Sequence, residues 1–256
     1  MELIDSHCHL YLPAFADDID AVMQRAFTAG VSRFYLPAID RDSENFMVDL
    51  EKRYPGICFA MQGLHPGSVN AGMEDALKHV GQSLAGRQFA AVGEIGLDFY
   101  WDRSFEKEQY RAFHQQIEWA LEFDLPIVIH SRESLEQTIA VVREHQQGSL
   151  RGIFHCFTED EYAAKQIIDL GFYMGIGGTL TYKKSKLPDT IRNIGLGNIV
   201  LETDAPYLPP VPYRGKRNES SYIMYVAGKL AEIMDMKLEE VAAITTANAL
   251  KIFDRP

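Results

Sequence analysis

Short apolar runs alternate with longer amphipathic segments along the whole chain. The runs occupy 3–5, 32–36, 58–61, 89–93, 126–129, 152–154, 172–176 and 199–201. Each run is bounded by turn-forming or polar residues, and its length is typical of a strand that is buried on both faces of a parallel sheet. The pattern therefore predicts eight strands.

The segments between these runs carry apolar residues at helical spacing. In the first segment such residues recur at positions 19, 22, 23, 26 and 27, and Gly30 follows as a residue type that often ends a helix. The same spacing is present in 113–121 and 164–168, and the segments 223–234 and 241–253 also have a helical pattern. Strands that alternate with helices predict an α/β fold, a (β/α)8 barrel of the TIM type, with an open doubly wound sheet as the competing arrangement.

The composition supports one large core. The chain has 256 residues, of which 46% are hydrophobic, and we find no linker or internal repeat, so we expect a single domain over 1–256. No apolar stretch reaches the roughly 18 residues of a membrane-spanning helix, and no secretory signal is visible. Three cysteines are too few for a disulfide framework. We therefore expect a cytoplasmic protein with no membrane partner and no obligate protein partner.

The charge limits the kind of nucleic-acid contact that is possible. The formal net charge is -11, whereas proteins that hold a duplex by neutralising its phosphates are usually basic. The charge argues against an architectural DNA-binding protein. It does not argue against an enzyme that acts on phosphoesters, because bound divalent metals supply local positive charge.

Histidines and acids are concentrated directly after the predicted strands. Since the carboxyl ends of the strands share one rim in a barrel, and active sites of this fold are built there, we expect these side chains to converge. They are His7, His9, His65, His130, His155, Glu94 and Asp204.

Each of these residues also has an ordinary explanation when it is taken alone. His7 and His9 are two apart, so on a strand they would project the same way as two ligands of one ion, but such pairs also arise by chance. Glu94 follows an apolar run and could pair with an Arg or a Lys. His130 and His155 could be hydrogen-bonded core histidines.

Taken together, these side chains favour a metal site. Imidazoles and carboxylates that converge at one mouth would repel each other or lack partners without a metal. Because there is no cluster of cysteines, the expected ions are Zn²⁺, Mn²⁺ or Mg²⁺. Six ligands are too many for one tetrahedral ion with an open position, so two divalent ions are favoured. The six predicted ligands are His7, His9, Glu94, His130, His155 and Asp204.

A set of ordered motifs resembles the TatD-like metal-dependent hydrolases, which belong to the amidohydrolase-type barrels. The motifs are DSHCHL at 5–10, GLHP at 63–66, GEIGLD at 93–98, PIVIHSR at 126–132, HCF at 155–157, ETDAPYL at 202–208 and TTANA at 245–249. Any one of them is weak evidence. The ordered set covers nearly the whole chain and is highly specific.

The resemblance implies a deoxyribonuclease of the cytoplasm, typically a 3′-to-5′ exonuclease, whose substrate is DNA. It implies that one metal takes His7, His9 and Asp204, and that the other takes His130 and His155. Glu94 bridges the two ions in this arrangement. The expected reaction is hydrolysis by water that two metals activate, with Asp204 as the group that takes up a proton.

Substrate contacts are expected at the same rim. By the resemblance, Arg132 reaches a substrate phosphate or orients the rim, and His65 is a phosphate or water contact. Arg214, Lys216 and Arg217 lie in the loop after the eighth predicted strand and are candidates for phosphate contacts, as are three lysines in the loop after the seventh. An ordinary solvated basic patch explains these loop residues equally well. The three lysines are Lys183, Lys184 and Lys186.

Two departures and two alternatives remain. Tyr11 stands where the family often has an acid, and Ser220 stands where it commonly has proline. These departures affect the expected substrate more than the expected hydrolysis.

Another amidohydrolase-type activity, such as D-aminoacyl-tRNA ester hydrolysis, is the alternative enzymatic function. Many such relatives bridge their metals with a modified lysine, whereas this chain has Glu94. A metal-holding scaffold is the non-enzymatic alternative, although a structural site usually closes its coordination sphere with protein ligands.

Overall fold

Eight strands alternate with helices in the computed structural model, which describes residues 1–253. The last three residues of the predicted single domain therefore lie outside the described residues. The strands are β1 Leu3–Asp5, β2 Val31–Leu36, β3 Cys58–Ala60, β4 Val92–Asp98, β5 Ile127–Arg132, β6 Gly152–Phe154, β7 Tyr173–Ile176 and β8 Ile199–Leu201. The helices are α1 Ile19–Thr28, α2 Arg41–Arg53, α3 Met73–Gly86, α4 Glu106–Glu122, α5 Leu135–His145, α6 Glu161–Asp169, α7 Leu187–Ile194, α8 Ile223–Met234 and α9 Leu238–Phe253.

Backbone hydrogen bonds close these strands into a barrel. All pairings are parallel, in the orders β1-β2-β3 and β4-β5-β6-β7-β8. The first gap is closed after β3, where the amide of Gly93 donates to the carbonyl of Gln62 at 2.9 Å. The second gap is closed between β8 and β1, where the amide of Ser6 donates to the carbonyl of Leu201 at 3.0 Å. The predicted (β/α)8 barrel is therefore confirmed.

The helices pack an apolar stripe against the outside of the barrel. In α1 the fully buried residues are Val22, Met23 and Ala26, which lie at the spacing that the sequence predicts. The predicted helices 223–234 and 241–253 are also present, as α8 and α9. Within residues 1–253, no helix is long and apolar enough to cross a membrane.

The predicted strand bounds differ most from the structure in β4 and β5. The run 89–93 was expected to end before Glu94, but β4 continues to Asp98, and β5 continues past the apolar run to Arg132. The reason is backbone pairing, because Gly96 pairs with His130 and Asp98 pairs with Arg132. Glu94 and His130 thus lie within strands rather than after them. Polar side chains are tolerated there because they face a cavity and not the core.

Two layers of inward-facing side chains follow each other along the barrel. We call the layer nearer the amino ends of the strands the floor. It packs as one apolar cluster, and Phe253 covers it by stacking on Tyr35 with ring centroids 3.7 Å apart. We call the carboxyl ends of the strands the mouth. Because side chains alternate along a strand, the residue two positions after a floor residue faces the mouth. The floor consists of Ile4, Tyr35, Met61, Ala91, Val128, Ile153 and Val200.

Candidate metal centre

The structure brings all six predicted metal ligands to the mouth. His7 and His9 follow β1, Glu94 and His130 lie in β4 and β5, and His155 and Asp204 follow β6 and β8. The loop after β3 adds His65. A cavity of about 660 Å³ opens onto this cluster, and its wall includes His9, His65, Glu94, His130, His155 and Asp204.

Glu94 lies between two sets of imidazoles. Its Oε1 is 2.8 Å from Nδ1 of His130 and 2.8 Å from Nε2 of His155. Its Oε2 faces the other way, 3.3 Å from Nε2 of His7 and 3.8 Å from Nε2 of His9. The carboxylate is buried. Each of its oxygens therefore belongs to a different group of nitrogen donors, which is the arrangement that a bridging ligand requires.

Asp204 completes the group around His7 and His9. Its Oδ1 is 3.6 Å from Nε2 of His7 and 3.5 Å from Nε2 of His9. The Nε2 atoms of the two histidines are 3.3 Å apart, so the two side chains do project the same way. The ring of His7 also stacks on that of His155, with centroids 3.9 Å apart. Three imidazoles and two carboxylates thus share a small volume.

The donor set fits divalent metal ions. Three groups of side chains each bring their ligand atoms within 4.8 Å of one another, and they are His7, His155 and Asp204; His7, His9 and Glu94; and His65, Glu94 and His130. Facing imidazole nitrogens repel each other unless a proton or a cation lies between them. Nitrogen and carboxylate oxygen ligands without thiolates suit Zn²⁺ or Mn²⁺, and the carboxylates suit Mg²⁺.

Hydrogen bonds decide which nitrogen of each histidine faces the centre. The Tyr11 hydroxyl donates its single proton to the carbonyl of Pro37 at 2.6 Å, so towards Nδ1 of His9, 2.9 Å away, it can only accept. Nδ1 of His9 therefore carries the proton, and Nε2 presents a lone pair to the centre. This is what Tyr11, the departure from the family pattern, does in this chain.

His65 is oriented in the opposite way. Its Nδ1 accepts the backbone amide of Gly67 at 2.9 Å, so in the neutral ring the proton is on Nε2. That Nε2 faces the centre, 3.2 Å from Nδ1 of His130 and 3.4 Å from Oε1 of Glu94. His65 therefore presents a donor rather than a lone pair. A donor suits contact with a phosphate or a water, as the sequence predicts, better than metal ligation.

Two carboxylates that the sequence analysis did not assign lie behind histidines of the site. Asp98 places Oδ2 2.9 Å from Nε2 of His130, which leaves Nδ1 of His130 to face Glu94. Glu202 is completely buried, and its Oε1 accepts the amide of Cys156 at 2.6 Å and lies 3.7 Å from Nδ1 of His155. Carboxylates behind histidine ligands raise the basicity of the ring and fix its orientation. The signal for Glu202 was its place in the motif, two residues before Asp204.

A third carboxylate fixes the backbone that carries the ligands. Asp5 is buried, and it accepts the hydroxyls of Ser220 and Thr203, each at 2.6 Å, and the amide of Thr203 at 2.9 Å. Burial raises the pKa of Asp5 to about 7, although these hydrogen bonds lower it. The bonds tie the start of the loop at His7 to the loop at Asp204. Ser220, the second departure from the family pattern, is part of this network.

The electrostatics of the centre keep its acids ionised. Burial raises the pKa of Glu94, but the nearby His155, His65 and His7 outweigh it and hold that pKa well below its usual range. Burial likewise opposes ionisation of Asp204, and His9, His7 and His155 lower the pKa below its usual value. Burial lowers the pKa of His155, whereas Glu94 and Glu202 raise it well above normal. A cluster that attracts positive charge this strongly suits cations.

The arginines predicted to contact substrate are placed differently. Arg132 is exposed at the wall of the cavity, and Arg214 is exposed with its guanidinium 4.4 Å from the ring centroid of Tyr182. Arg217 instead forms a two-pronged ion pair with Asp18, at 2.7 Å for both bonds, and donates to the carbonyl of Ala14. The structure thus gives Arg217 a packing role, and its predicted contact with substrate stays a prediction.

Comparisons with known proteins show that the chain is similar to metal-dependent hydrolases. A family model described as TatD related DNase matches residues 4–254. The chain is 36% identical to the metal-dependent hydrolase YabD of Bacillus subtilis over 252 residues, which cover 98% of each chain. It is 33% identical to the metal-dependent hydrolase YjjV of Escherichia coli, over 99% of this chain and 98% of the relative. The crystal structure of YjjV, a TatD homologue, superposes with a TM-score of 0.93 at 32% identity, over 99% of this chain and 98% of that chain.

Proposed function

The chain belongs to the TatD-related family of metal-dependent hydrolases, and we propose that it is a deoxyribonuclease of the cytoplasm. It hydrolyses the phosphodiester bonds of single-stranded or frayed DNA from the 3′ end. The position of Glu94 carries the proposal, because one oxygen faces His130 and His155 and the other faces His7 and His9. Two-metal sites are typical of enzymes that cleave phosphodiesters.

Seven residues at the mouth take part in metal binding and substrate contact in this proposal. His7, His9 and Asp204 would hold one divalent ion, His130 and His155 would hold the other, and Glu94 would contribute to both sites. Bound Zn²⁺, Mg²⁺ or Mn²⁺ would supply Lewis acidity, which makes water more acidic and offsets the negative charge of the phosphodiester. His65 donates from Nε2 to a phosphate oxygen, since Nδ1 already accepts from Gly67.

Asp204 moves the proton. Its side chain is 14% exposed at the cavity, so it contacts both the histidines and the solvent that enters. Because the neighbouring histidines lower its pKa, it is ionised at neutral pH and can accept a proton from the attacking water at a carboxylate oxygen. The carboxylate can then return that proton to the leaving 3′ oxygen.

The distribution of charge supports action at a strand end. With a net charge of -11, the protein has little positive surface to neutralise the phosphates of a duplex. Arg132 at the cavity wall offers a local contact for one phosphate, and Arg214 is a second candidate. A single strand end that enters the cavity needs few such contacts.

The test compares substrates in parallel. Purified protein loaded with Mg²⁺, Mn²⁺ or Zn²⁺ is incubated with labelled single-stranded DNA, the matching RNA and an aminoacyl ester of tRNA. We expect release of mononucleotides from the 3′ end of DNA with at least one metal. The Asp204→Asn variant should bind the DNA but lose turnover, since an amide oxygen can still coordinate while the basicity is gone.

Three results would contradict the proposal. Faster hydrolysis of the aminoacyl ester than of DNA would support the alternative activity. Equal rates on a covalently closed circle and on a linear strand would contradict the exonuclease part. Near-normal turnover in Asp204→Asn would contradict the assigned proton acceptor. Lys78→Gln, a change of an exposed residue on α3 that is not part of the cavity wall, serves as the control for purification and assay.

A further inference from the structure

Two large aromatic side chains are exposed beside the cavity. Tyr100 and Trp101 follow β4, and they are 48% and 74% exposed. Their rings meet edge to face with centroids 4.8 Å apart. Trp101 also forms part of the cavity wall that includes Glu94 and Asp204. Large exposed aromatic residues at such a position are commonly binding surfaces.

Arg132 lies against this aromatic pair. Its guanidinium carbon is 3.8 Å from the ring centroid of Tyr100 and 5.2 Å from that of Trp101. Among the residues that the structure describes, this guanidinium has no hydrogen-bonded acceptor and no acidic partner, unlike that of Arg217. The stacking holds the side chain in place, and its N–H donors remain available to an anionic ligand.

Asp98 connects the aromatic pair to the metal centre. Its Oδ1 accepts the backbone amide of Tyr100 at 2.9 Å and that of Trp101 at 3.4 Å. Its Oδ2 is 2.9 Å from Nε2 of His130. One buried carboxylate thus fixes the loop and a metal-site histidine together. The position of the two rings relative to the centre is therefore set by the fold rather than by a free loop.

We propose that Trp101 is a stacking platform for a nucleobase of the substrate, and that Arg132 binds a phosphate of the same strand. This inference rests on the proposed function and names the part of the substrate that is recognised. Every base has a flat aromatic face, so a stacking platform accepts DNA with little preference for sequence. A guanidinium beside it supplies the matching positive charge for a phosphate oxygen.

The first test measures binding through fluorescence. The chain has two tryptophans, and Trp119→Phe leaves Trp101 as the only one. The metal-loaded Trp119→Phe protein is titrated with deoxyadenosine 5′-monophosphate and, separately, with deoxyribose 5-phosphate, which lacks the base. We expect the nucleotide to quench the emission of Trp101 and the sugar phosphate to leave it unchanged. Equal effects of the two compounds, or none from either, would overturn the platform.

The second test measures turnover on single-stranded DNA. Trp101→Ala should raise KM about tenfold, the size expected for loss of one base stack, with a smaller change in kcat. Trp101→Phe should recover most of the loss, because it restores an aromatic face. Tyr162→Ala is the matched control, since Tyr162 is 72% exposed on α6 and is not part of this cavity wall. An unchanged KM in Trp101→Ala, or an equal rise in Tyr162→Ala, would overturn the inference.

The two proposals can fail separately. If DNA is hydrolysed normally while the nucleotide does not quench Trp101, the platform is wrong and the nuclease proposal stands. If the nucleotide quenches Trp101 but no DNA is hydrolysed with any metal, the platform stands and the nuclease proposal is wrong.

Discussion

The floor and the mouth of the barrel use the same strands and opposite chemistry. Val128 and Ile153 are floor residues with almost no exposure. Two positions further along the chain stand His130 and His155. In the floor, aliphatic side chains such as Val128 and Ile153 are held by apolar contacts and need no polar partner. In the mouth each side chain depends on an opposite charge, a hydrogen bond or a metal.

The comparison shows how one sheet can serve stability and chemistry at once. In β5 and β6 a step of two residues keeps the same inward direction, so these strands change from packing to function without an irregularity. In β4, by contrast, the register shifts between Gly93 and Ile95, at Glu94. The floor stabilises the fold by removing apolar surface from water. The mouth brings five histidines and several carboxylates together, an arrangement that no folding requirement demands. Changes in the two layers should therefore have separable effects.

The largest effect is expected from Glu94→Ala in the mouth. Because one side chain serves both groups of histidines, its loss should release metal from both and lower turnover by roughly 1,000-fold or more. Elemental analysis of the purified variant measures the metal, and mononucleotide release measures turnover. Asp189→Asn, an exposed carboxylate on α7, is the control and should retain both. A Glu94→Ala protein that keeps two metals per chain would contradict the bridging role.

The second effect concerns the floor. Ile153→Ala removes a buried side chain that is 1% exposed, and such truncations cost about 2–5 kcal/mol in the free energy of unfolding. Metal content and turnover per folded molecule should stay near normal at low temperature. Urea denaturation measures the stability. Ile153→Val is the graded control and should cost about 1 kcal/mol. If Ile153→Ala loses its metals without losing stability, the separation of the two layers is wrong.

The sequence predicted which residues lie at the mouth better than it predicted their contacts with one another. The strands and the convergence of the six predicted ligand residues at the mouth could be predicted, because apolar runs, chain order and the motifs carry them. The tautomers of His9 and His65 could not, since they depend on where Tyr11 and Gly67 lie in space. Nor could the partner of Arg217, because Asp18 is 199 positions away in the chain. Likewise, the backbone pairing between β4 and β5 extends both strands beyond the ends that the apolar runs predict.

A third prediction tests whether the mouth depends on groups behind the ligands. Glu202→Gln keeps the shape of the side chain but removes the charge that faces His155. Loss of such a supporting carboxylate typically lowers metal affinity or activity by about 10–100-fold. Titration with a metal chelator measures the affinity.

Gly175→Ala offers an independent route to the same defect. A Cβ at this position would lie 1.9 Å from Oε2 of Glu202, so the carboxylate must move. Gly197→Ala is the matched control, because a Cβ there meets no atom within 4 Å. Normal metal affinity in both Glu202→Gln and Gly175→Ala would show that His155 needs no support from Glu202.

The smallest effect is expected from Arg217→Gln, which lies in neither layer. Hydrogen bonding to Arg217 holds the pKa of Asp18 below its usual value of 3.8, so the folded state favours the ionised carboxylate. The resulting stability is present above the unfolded pKa and is lost as the pH falls through the lower folded pKa. Because the pair is partly exposed and screened by water, it is worth about 0.2–1 kcal/mol.

Denaturation of both proteins at two pH values tests this assignment. The difference in the free energy of unfolding between the parent and Arg217→Gln should be measurable at pH 7 and should shrink at a pH low enough to protonate Asp18. KM for DNA should not change, whereas Arg132→Gln should raise it because Arg132 is free to bind a phosphate. A raised KM in Arg217→Gln at constant stability would instead favour the substrate contact that the sequence predicts. That outcome would extend the substrate-binding surface at the mouth to the loop after β8.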